Sequence, residues 1–295
     1  MNFDTPEGFF ESVLFQSTGE TASVQSMLFV TGGCINQTVR LDTDLGVFFL
    51  KWNEEQPDGM FEAEEAGLDL LGEHASDEIK VPRVVGRGQT ARRDYLLLEY
   101  LHERPETDDY WEVLGRGLAK LHQASHSQFG LDHDNYIGSL RQKNTQKDSW
   151  LDFFFEHRLK PQFGLAFYEH KIDQGFLRRL DALRPKLEGF FPEEAPALLH
   201  GDLWSGNAMP IKSGRPSIFD PAVYYGHREM ELAFTRLFGG FDDRFYEAYR
   251  EACPMAPHFA ERKDVYNLYP LMVHTNLFGT SYLAGVEKVF KRFGV

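Results

Sequence analysis

The residues best suited to chemistry lie in one stretch near residue 200. Residues 198–207 read Leu-Leu-His-Gly-Asp-Leu-Trp-Ser-Gly-Asn, so Asn207 follows Asp202 by five residues, and Asp220 follows Asn207 by thirteen. Phosphoryl transfer needs a carboxylate that accepts a hydroxyl proton and oxygen ligands that hold Mg²⁺ against the phosphates of ATP. The spacing predicts Asp202 as the catalytic base and Asn207 and Asp220 as magnesium ligands. The alternative is a polar turn between strands, because Asp and Asn are common turn residues.

A lysine on an apolar segment is the second signal. Lys51 lies near the end of the run 47–52, which is predicted to be a buried strand, and a buried ammonium needs an anionic partner. ATP phosphates and a helix glutamate would supply that negative charge. Glu64 is the predicted partner because Leu68 and Leu71 follow it by four and seven residues, which places all three on one helix face. A lysine snorkelling at a strand edge is the alternative.

A glycine-containing turn precedes that strand. Gly32 and Gly33 could let backbone amides approach the ATP phosphates, and a plain hairpin turn is the alternative. The adjacent Cys34 is predicted to be partly exposed and reactive, and therefore a redox switch, whereas a small apolar residue without a regulatory role is the alternative. Cys253 is the only other cysteine, and two cysteines fit a reducing, cytoplasmic setting better than a disulfide framework.

Periodicity and turn signals predict the elements that position these residues. The first hundred residues alternate a helix at 6–17, strands at Val24–Val30, Ile35–Leu41 and Val47–Trp52, a helix at Met60–Leu71, and strands at Val81–Gly86 and Tyr95–Tyr100. Beyond Leu101 the predicted helices are Trp111–His122, Trp150–Arg158, Phe176–Phe190 and several from Glu229 onward, interrupted by a β-like patch between 197 and 220. The pattern predicts an α+β protein with a small β-rich lobe, residues 1–101, and a larger helical lobe, residues 102–295.

The loop 200–207 resembles the catalytic loop of fructosamine kinases, also called ketosamine-3-kinases. Residues 60–64 resemble that family's first-lobe helix, and residues 129–138 and 220–233 resemble stretches peculiar to it. Fructosamine kinases belong with aminoglycoside phosphotransferases and choline kinases in the protein-kinase-like fold. The resemblance therefore implies this two-lobed fold, use of ATP and Mg²⁺, and a small-molecule ketosamine, or glycated amine, as the substrate.

The same resemblance implies where the nucleotide base binds. It places the hinge between the lobes at Glu99, Tyr100 and Leu101, where backbone atoms would bond adenine. An ordinary connection between lobes is the alternative.

Four residues are predicted to contact the substrate. Trp204 follows the predicted base by two residues, and the apolar face of a sugar could stack on it; a core tryptophan is the alternative. His227, His274 and Asn276 resemble family positions near the substrate cleft, although a single histidine is more often structural. Glu231 is expected to brace the catalytic loop rather than to contact substrate.

Composition limits the partners. The 31 basic and 45 acidic residues give a net charge of −14, which disfavours nucleic acid and anionic membranes. The same charge favours cationic substrates, including ketosamines, aminoglycosides and choline. The N-terminus lacks the basic region of a signal peptide, and no apolar run approaches the roughly 20 residues that span a bilayer. A monomer and a homodimer are both compatible with the sequence.

Two further functions remain open at this point. A kinase of another amino alcohol, of the aminoglycoside or choline type, would use the same loop. A nucleotide-binding pseudokinase that regulates a partner is less expected, because Lys51, Asp202, Asn207 and Asp220 are all present. Protein kinase activity is disfavoured, since only eight residues separate Asp220 from Glu229 and leave no room for an activation segment.

Overall fold

The first part of the chain folds around a five-stranded antiparallel sheet. The computed structural model describes residues 6–30, 36–54 and 59–295. The elements are helix α1 (Pro6–Thr18), strands β1 (Val24–Phe29), β2 (Gln37–Thr43) and β3 (Gly46–Asn53), helix α2 (Met60–His74), and strands β4 (Val84–Thr90) and β5 (Arg93–Glu99). The strand order is β1-β2-β3-β5-β4, so β3 lies at the centre of the sheet.

Strand alternation gives this sheet two buried faces. Leu50 and Trp52 on β3 pack with Leu97 of β5 against α1. The side chains at the alternate positions point to the opposite face of the sheet. On that face, Leu96 packs in a core that includes residues of α2. Lys51 pairs in register with Leu96, so its side chain lies on the α2 face of the central strand. The sheet thereby carries a lysine towards the second part of the molecule.

The rest of the chain is mainly helical, with short antiparallel strand pairs. Its elements are α3 (Tyr110–Leu121), β6 (Asn135–Ile137), β7 (Leu140–Gln142), α4 (Trp150–Phe153), α5 (Lys160–Tyr168), α6 (Gln174–Leu183), β8 (Ala197–Leu199), β9 (Ala208–Pro210), β10 (Pro216–Ile218), β11 (Tyr224–Gly226), α7 (Arg228–Leu237), α8 (Asp243–Ala252), α9 (Phe259–Tyr266), α10 (Leu268–Phe278) and α11 (Leu283–Phe293). Strand β8 pairs with β11, β9 with β10, and β6 with β7. None of the helices in the described part of the chain could cross a membrane.

One hydrophobic core spans both parts of the molecule. It joins Leu71 of α2 and Leu96 of β5 to Leu118 of α3 and Val223, which precedes β11. Backbone hydrogen bonds link the two parts as well, since Lys80 N donates to Pro216 O at 2.9 Å. The cleft between the sheet and the helical part is therefore held in place by packing on one side.

Four elements differ clearly from the sequence-based expectations, and one of them is the helix predicted at Phe176–Phe190, which ends at Leu183 and is followed by a 3₁₀ turn at Arg184–Leu187. Strand β4 begins at Val84 rather than Val81, because Pro82 has no amide hydrogen for the ladder and Val81 is buried by packing alone. The helix predicted at Trp150–Arg158 continues through a π-helical turn, Phe154–Leu159, into α5. The hairpin β6–β7 was not predicted, since three-residue strands carry almost no periodicity.

Candidate active site

The hairpin β9–β10 and the strand pair β8–β11 bring the predicted catalytic and metal-binding residues together. The loop from β8 carries Asp202 and Asn207, and Asp220 follows β10. The Asn207 amide donates to the Asp202 carbonyl at 2.9 Å and to its carboxylate Oδ2 at 3.2 Å. Phe219 N donates to Asn207 O at 3.1 Å, which extends the β9–β10 hairpin and brings Asn207 next to the residue before Asp220. Residues that are thirteen or more apart in sequence thus share one site.

The backbone around the predicted base is held by a neutral histidine. His200 Nδ1 accepts from Asp202 N at 3.2 Å, so the ring proton lies on Nε2, which donates to Phe219 O at 2.9 Å. Burial lowers the pKa of His200, in agreement with a neutral ring. Gly201 has φ +85°, and a Cβ there would lie 2.0 Å from Ala222 O. Only glycine can therefore occupy this position in the loop.

Glu231 of α7 braces the same loop, as expected from the sequence. Its Oε1 accepts from Gly201 N at 2.7 Å and its Oε2 from His200 N at 3.0 Å. His122 lies 3.0 Å from Oε2 and is itself held by the Tyr249 hydroxyl at 2.7 Å. Burial alone would raise the pKa of Glu231, but the hydrogen bonds and charge of His122 and the loop amides lower it. The carboxylate is therefore ionised and fixed beneath the loop.

The environment of Asp202 favours proton acceptance. Burial raises the pKa of Asp202 to about 8, and the negative charge of Asp220 adds to this effect. The hydrogen bond from Asn207 acts in the opposite direction, and Glu231 raises the pKa further. A carboxylate with a raised pKa is a stronger base than an exposed one, which suits proton transfer near neutral pH.

Lys51 is bonded to two carboxylates from different parts of the molecule. Its Nζ lies 2.6 Å from Glu64 Oε1 on α2 and contacts Asp220 Oδ1 from the helical part. Burial would lower the pKa of Lys51, but the two carboxylates outweigh burial and raise it. The predicted partnership of Lys51 with Glu64 is confirmed. Asp220 has φ 58°, an unusual backbone conformation that is common at functional sites.

The oxygen atoms of Asn207 and Asp220 fit a magnesium ion that is shared with a nucleotide. Among the residues that the structure describes, no group of three or more His, Cys, Asp or Glu side chains could hold a metal unaided. Mg²⁺ at phosphate-transfer sites needs only one or two protein oxygen ligands, because water and phosphate oxygens complete its coordination. An amide and a carboxylate are suitable ligands of this kind.

The predicted hinge follows β5 directly. The Glu99 carboxylate is bonded to Lys80 Nζ at 2.5 Å and to Arg83 N at 2.7 Å, so it supports the strand. The ring of Tyr100 packs edge-on against a neighbouring imidazole. Within the described part of the chain, the backbone of Leu101 makes no hydrogen bond. Its N–H and C=O are therefore available to a ligand.

Two of the predicted substrate residues lie beside the predicted base. His274 lines the same pocket as Asp202, and its Nδ1 donates to Pro270 O at 2.8 Å. Trp204 is 41% exposed, and a Cβ on Gly206 would lie 2.2 Å from its ring, so the indole lies across the loop with one face towards solvent. An exposed indole next to Asp202 is not the core tryptophan that was the alternative.

The other two predicted substrate residues are not brought to this pocket. His227 is only 2% exposed, stacks on Trp150 at 4.7 Å between ring centroids, and bonds the Tyr266 hydroxyl at 3.0 Å. The Asn276 amide donates to the side chain of Gln162 at 2.7 Å and to its backbone carbonyl at 3.0 Å. Both side chains are buried and neither lines the pocket of Asp202, and their assignment as substrate contacts stays a prediction.

The glycine turn cannot be placed. Gly32, Gly33 and Cys34 all lie outside the described residues. The proposals that the glycines approach the phosphates and that the thiol is a redox switch stay predictions.

Sequence reasoning missed a buried polar network under the Asp220 loop. The Asn135 amide donates to Val223 O at 2.8 Å, and the Gln142 amide donates to Ala222 O at 3.0 Å. Gln142 also accepts from the Tyr269 hydroxyl at 2.6 Å, and the ring of Tyr269 lines the pocket of Asp202. The backbone just after Asp220 is thereby held by side chains from β6 and β7. Asn135 lies in the stretch 129–138, and Gln142 lies just beyond it. The resemblance of that stretch to the fructosamine kinase family was the only sequence signal for this network.

A fully buried arginine completes this network. The Arg158 guanidinium donates to Lys143 O at 2.6 Å and to Asn144 Oδ1 at 2.7 Å, and it lies 3.9 Å above the ring of Tyr224. No carboxylate pairs with it among the described residues. Backbone and amide oxygens and an aromatic face therefore take the place of a carboxylate partner for Arg158. The periodicity of a helix does not reveal such a partnership.

The fold and the site together define the class of protein to which the chain belongs. A sheet carrying a Lys–Glu pair, followed by a helical part with a base loop and a second aspartate after a strand, is the arrangement of the protein-kinase-like fold. The crystal structure of an aminoglycoside phosphotransferase has this fold, with a TM-score of 0.64 over 97% of this chain and 99% of that chain at 18% identity.

Within that class, the chain belongs to the fructosamine kinase family, whose family model matches residues 9–293. A protein of Synechocystis sp. named a probable ketoamine kinase is 40% identical over 295 residues, which cover 99% of this chain and 98% of that protein. The chloroplastic protein-ribulosamine 3-kinase of Arabidopsis thaliana is 36% identical over 92% of this chain and 83% of its own. A Thermobifida fusca crystal structure that carries a fructosamine-3-kinase name has a TM-score of 0.86 at 31% identity, covering 95% and 96% of the two chains. The resemblance and the two-lobed fold predicted from the sequence are confirmed.

The Glu231 brace predicts a loss of turnover when its charge is removed. Glu231→Gln has the same shape but weakens bonds that each contribute about 1.5–3 kcal/mol when charged. We expect kcat to fall ~10-fold with little change in the KM for ATP, since the loop that carries Asp202 is displaced. Steady-state kinetics at saturating magnesium would measure this. Glu247→Gln, on the exposed face of α8, is the matched control, and equal kcat values for the two variants would contradict the role of the brace.

Proposed function

We propose that this protein is a kinase that uses ATP and Mg²⁺ to phosphorylate a sugar hydroxyl of a ketosamine, with Asp202 as the catalytic base. The observation that carries the proposal is the convergence of Asp202, Asn207 and Asp220 with the Lys51–Glu64 pair at one cleft. Each of these residue types has a defined task in phosphoryl transfer.

Each of these residues would have its own role in phosphoryl transfer. Asp202 would accept the proton of the acceptor hydroxyl, and its raised pKa supports this role. Lys51, oriented by Glu64, would contact the ATP phosphates, and Asn207 and Asp220 would hold Mg²⁺. The metal, when bound, neutralises charge on the phosphate oxygens. The free backbone of Leu101 would bond the adenine edge.

The substrate assignment rests on side chains near Asp202, on the names of the relatives and on charge. Trp204 offers an exposed indole face beside Asp202, and the apolar face of a sugar packs well on such a surface. His274 lines the pocket of Asp202. Its Nδ1 is bonded to Pro270 O, and its Nε2 takes no part in that bond. The names of the relatives point to ketoamines and ribulosamines. The net charge of −14 supports a substrate that carries a protonated amine.

Removal of the base is the direct test of mechanism. Asp202→Asn should lower turnover ~10²–10⁴-fold, the usual contribution of positioned base catalysis. Binding of magnesium-ATP, measured by calorimetry, should be nearly unchanged. Asp181→Asn, on the exposed side of α6, is the control and should retain full activity. Turnover of Asp202→Asn within twofold of the parent would exclude Asp202 as the base.

The metal ligands are tested by magnesium titration. Asp220→Ala should raise the half-saturating magnesium concentration more than Asn207→Ala, because a carboxylate contributes charge and an amide oxygen does not. Activity would be measured across magnesium concentrations at fixed ATP. If the parent and both variants share one magnesium dependence, neither residue is a ligand.

Substrate preference tests the proposed function as a whole. Phosphate transfer from magnesium-ATP should be far faster to fructosyl-lysine and ribulosyl-lysine than to free fructose, choline or an aminoglycoside. Trp204→Ala should raise the KM for the ketosamine more than the KM for ATP, because the proposal places the sugar on the exposed indole. Tyr168→Ala removes an aromatic side chain that is 81% exposed and is the control. Equal rates on fructose and ketosamines would favour a plain sugar kinase.

A further inference from the structure

Three aromatic rings from the ends of three helices gather around His274. Phe238 directly follows α7, Phe278 is the last residue of α10, and Tyr282 directly precedes α11. Their ring centroids lie 4.5, 5.4 and 5.2 Å from that of the His274 imidazole. Phe238 and Phe278 are 42% and 51% exposed, although large apolar side chains are usually buried. We call these three rings the Phe238 cluster; they have no part in the phosphoryl transfer proposed above.

The Phe238 cluster adjoins the active site in two places. His274, which all three rings contact, also lines the pocket of Asp202. On the other side, the chain that follows Phe238 touches the catalytic loop, because a Cβ on Gly240 would lie 2.6 Å from the side chain of Ser205. The exposed rings are therefore continuous with the surface around the predicted base.

A hydrogen bond in the structure sets the tautomer of His274. Its Nδ1 lies 2.8 Å from Pro270 O, and a carbonyl oxygen can only accept, so Nδ1 carries the proton. Burial lowers the pKa of His274, in agreement with a neutral ring whose Nε2 is an acceptor. Nε2 makes no hydrogen bond to any residue that the structure describes, and it does not belong to the completely enclosed unpaired atoms there. It is therefore open to a ligand that donates a hydrogen bond.

Basic side chains on the adjoining elements have partners of their own. The Arg236 guanidinium on α7 lies 3.4 Å above the ring of Tyr246. Lys171, which reaches the backbone of α10, is bonded to Glu169 at 2.5 Å. Lys288 on α11 is bonded to a carboxylate of α9 at 2.9 Å. These cations are thus engaged elsewhere, whereas the faces of aromatic rings attract a positive charge.

We propose that the Phe238 cluster and His274 form the subsite for the amine-bearing group of the ketosamine, an assignment that rests on the function proposed above. The protonated amine would donate to His274 Nε2 and lie against the ring faces. An apolar substituent on the amine nitrogen would pack on Phe238 and Phe278. The sugar on Trp204 and the amine on the cluster would then occupy neighbouring parts of one surface. Ketosamines with a large apolar substituent are therefore the preferred substrates.

Binding of three related compounds, measured by calorimetry without ATP, tests the subsite. The probes are N-methylfructosamine, N-benzylfructosamine and the benzyl ether in which oxygen replaces the amine nitrogen. The parent should bind the benzylamine ~10-fold more tightly than the methylamine, because the phenyl ring packs on the cluster. It should bind the ether ~10-fold more weakly than the benzylamine, because the ether has neither the N–H donor nor the charge.

Substitutions locate the preference on the cluster. Phe238→Ala and Phe278→Ala should each reduce the preference for the benzylamine to about twofold or less and leave affinity for the methylamine unchanged. Phe15→Ala removes a ring on α1 that is 47% exposed, and as the matched control it should retain the full preference. His274→Phe keeps a ring but removes the acceptor, so it should reduce the difference between benzylamine and ether.

The subsite is overturned if the parent binds neither amine at millimolar concentration, binds both equally, or keeps its preference in Phe238→Ala and Phe278→Ala. Loss of the preference in Phe15→Ala would overturn it as well. If one phenylalanine variant does not fold, as judged by its melting curve, the other decides. Phosphate transfer to N-methylfructosamine, measured separately, tests the proposed function alone. Transfer without a binding preference refutes only the subsite, and a binding preference without transfer refutes only the kinase activity.

Discussion

A buried lysine is the constraint on which the active site depends. Lys51 lies on the central strand of the sheet, where an unpaired ammonium would be strongly unfavourable. Its charge is balanced by Glu64 from α2 and by Asp220 from the helical part, so three separate elements must meet at one point. Removing one partner from such a buried group typically costs about 3–5 kcal/mol. The same contacts that satisfy the lysine therefore hold the two parts of the molecule in register around the cleft.

The helical part positions the catalytic loop by a different means. Glu231 binds two successive backbone amides of the loop, and His200 binds the next one. Gly201 allows the chain to turn there with a positive φ and to approach Ala222 closely. Asp202 itself is thereby left with few stabilising partners and a raised pKa. The surroundings stabilise the loop rather than the charge of Asp202, which suits the role of base proposed for it.

Beneath the Asp220 loop, hydrogen bonds from amide side chains and a guanidinium without a carboxylate partner among the described residues replace ion pairs. Asn135 and Gln142 hold the carbonyls of the loop, and the Arg158 NH groups donate to carbonyl and amide oxygens while its guanidinium lies over an aromatic face. A carboxylate at this depth would add negative charge near Asp202 and Asp220. The network therefore fixes the backbone just after Asp220 and brings a positive charge, that of Arg158, rather than a negative one to this depth.

The sequence by itself predicted which residues meet at the site and most of the main elements. Asp202, Asn207, Asp220 and the partnership of Lys51 with Glu64 were predictable because they depend on local spacing, on strand and helix periodicity and on residue type. The fold class followed from the same pattern together with the family resemblance. Long, periodic elements such as α3 were placed within a residue or two for the same reason.

Tertiary structure alone decided which polar side chains reach the cleft. His227 and His274 were equivalent as sequence predictions, yet one stacks on Trp150 in the core and the other lines the pocket of Asp202. Likewise, no local pattern could show that Arg158 is buried without a carboxylate or that Asn135 binds Val223 O, 88 residues away. Such contacts join residues far apart in the chain. Their partners are selected by packing, and packing depends on the whole fold rather than on any one segment.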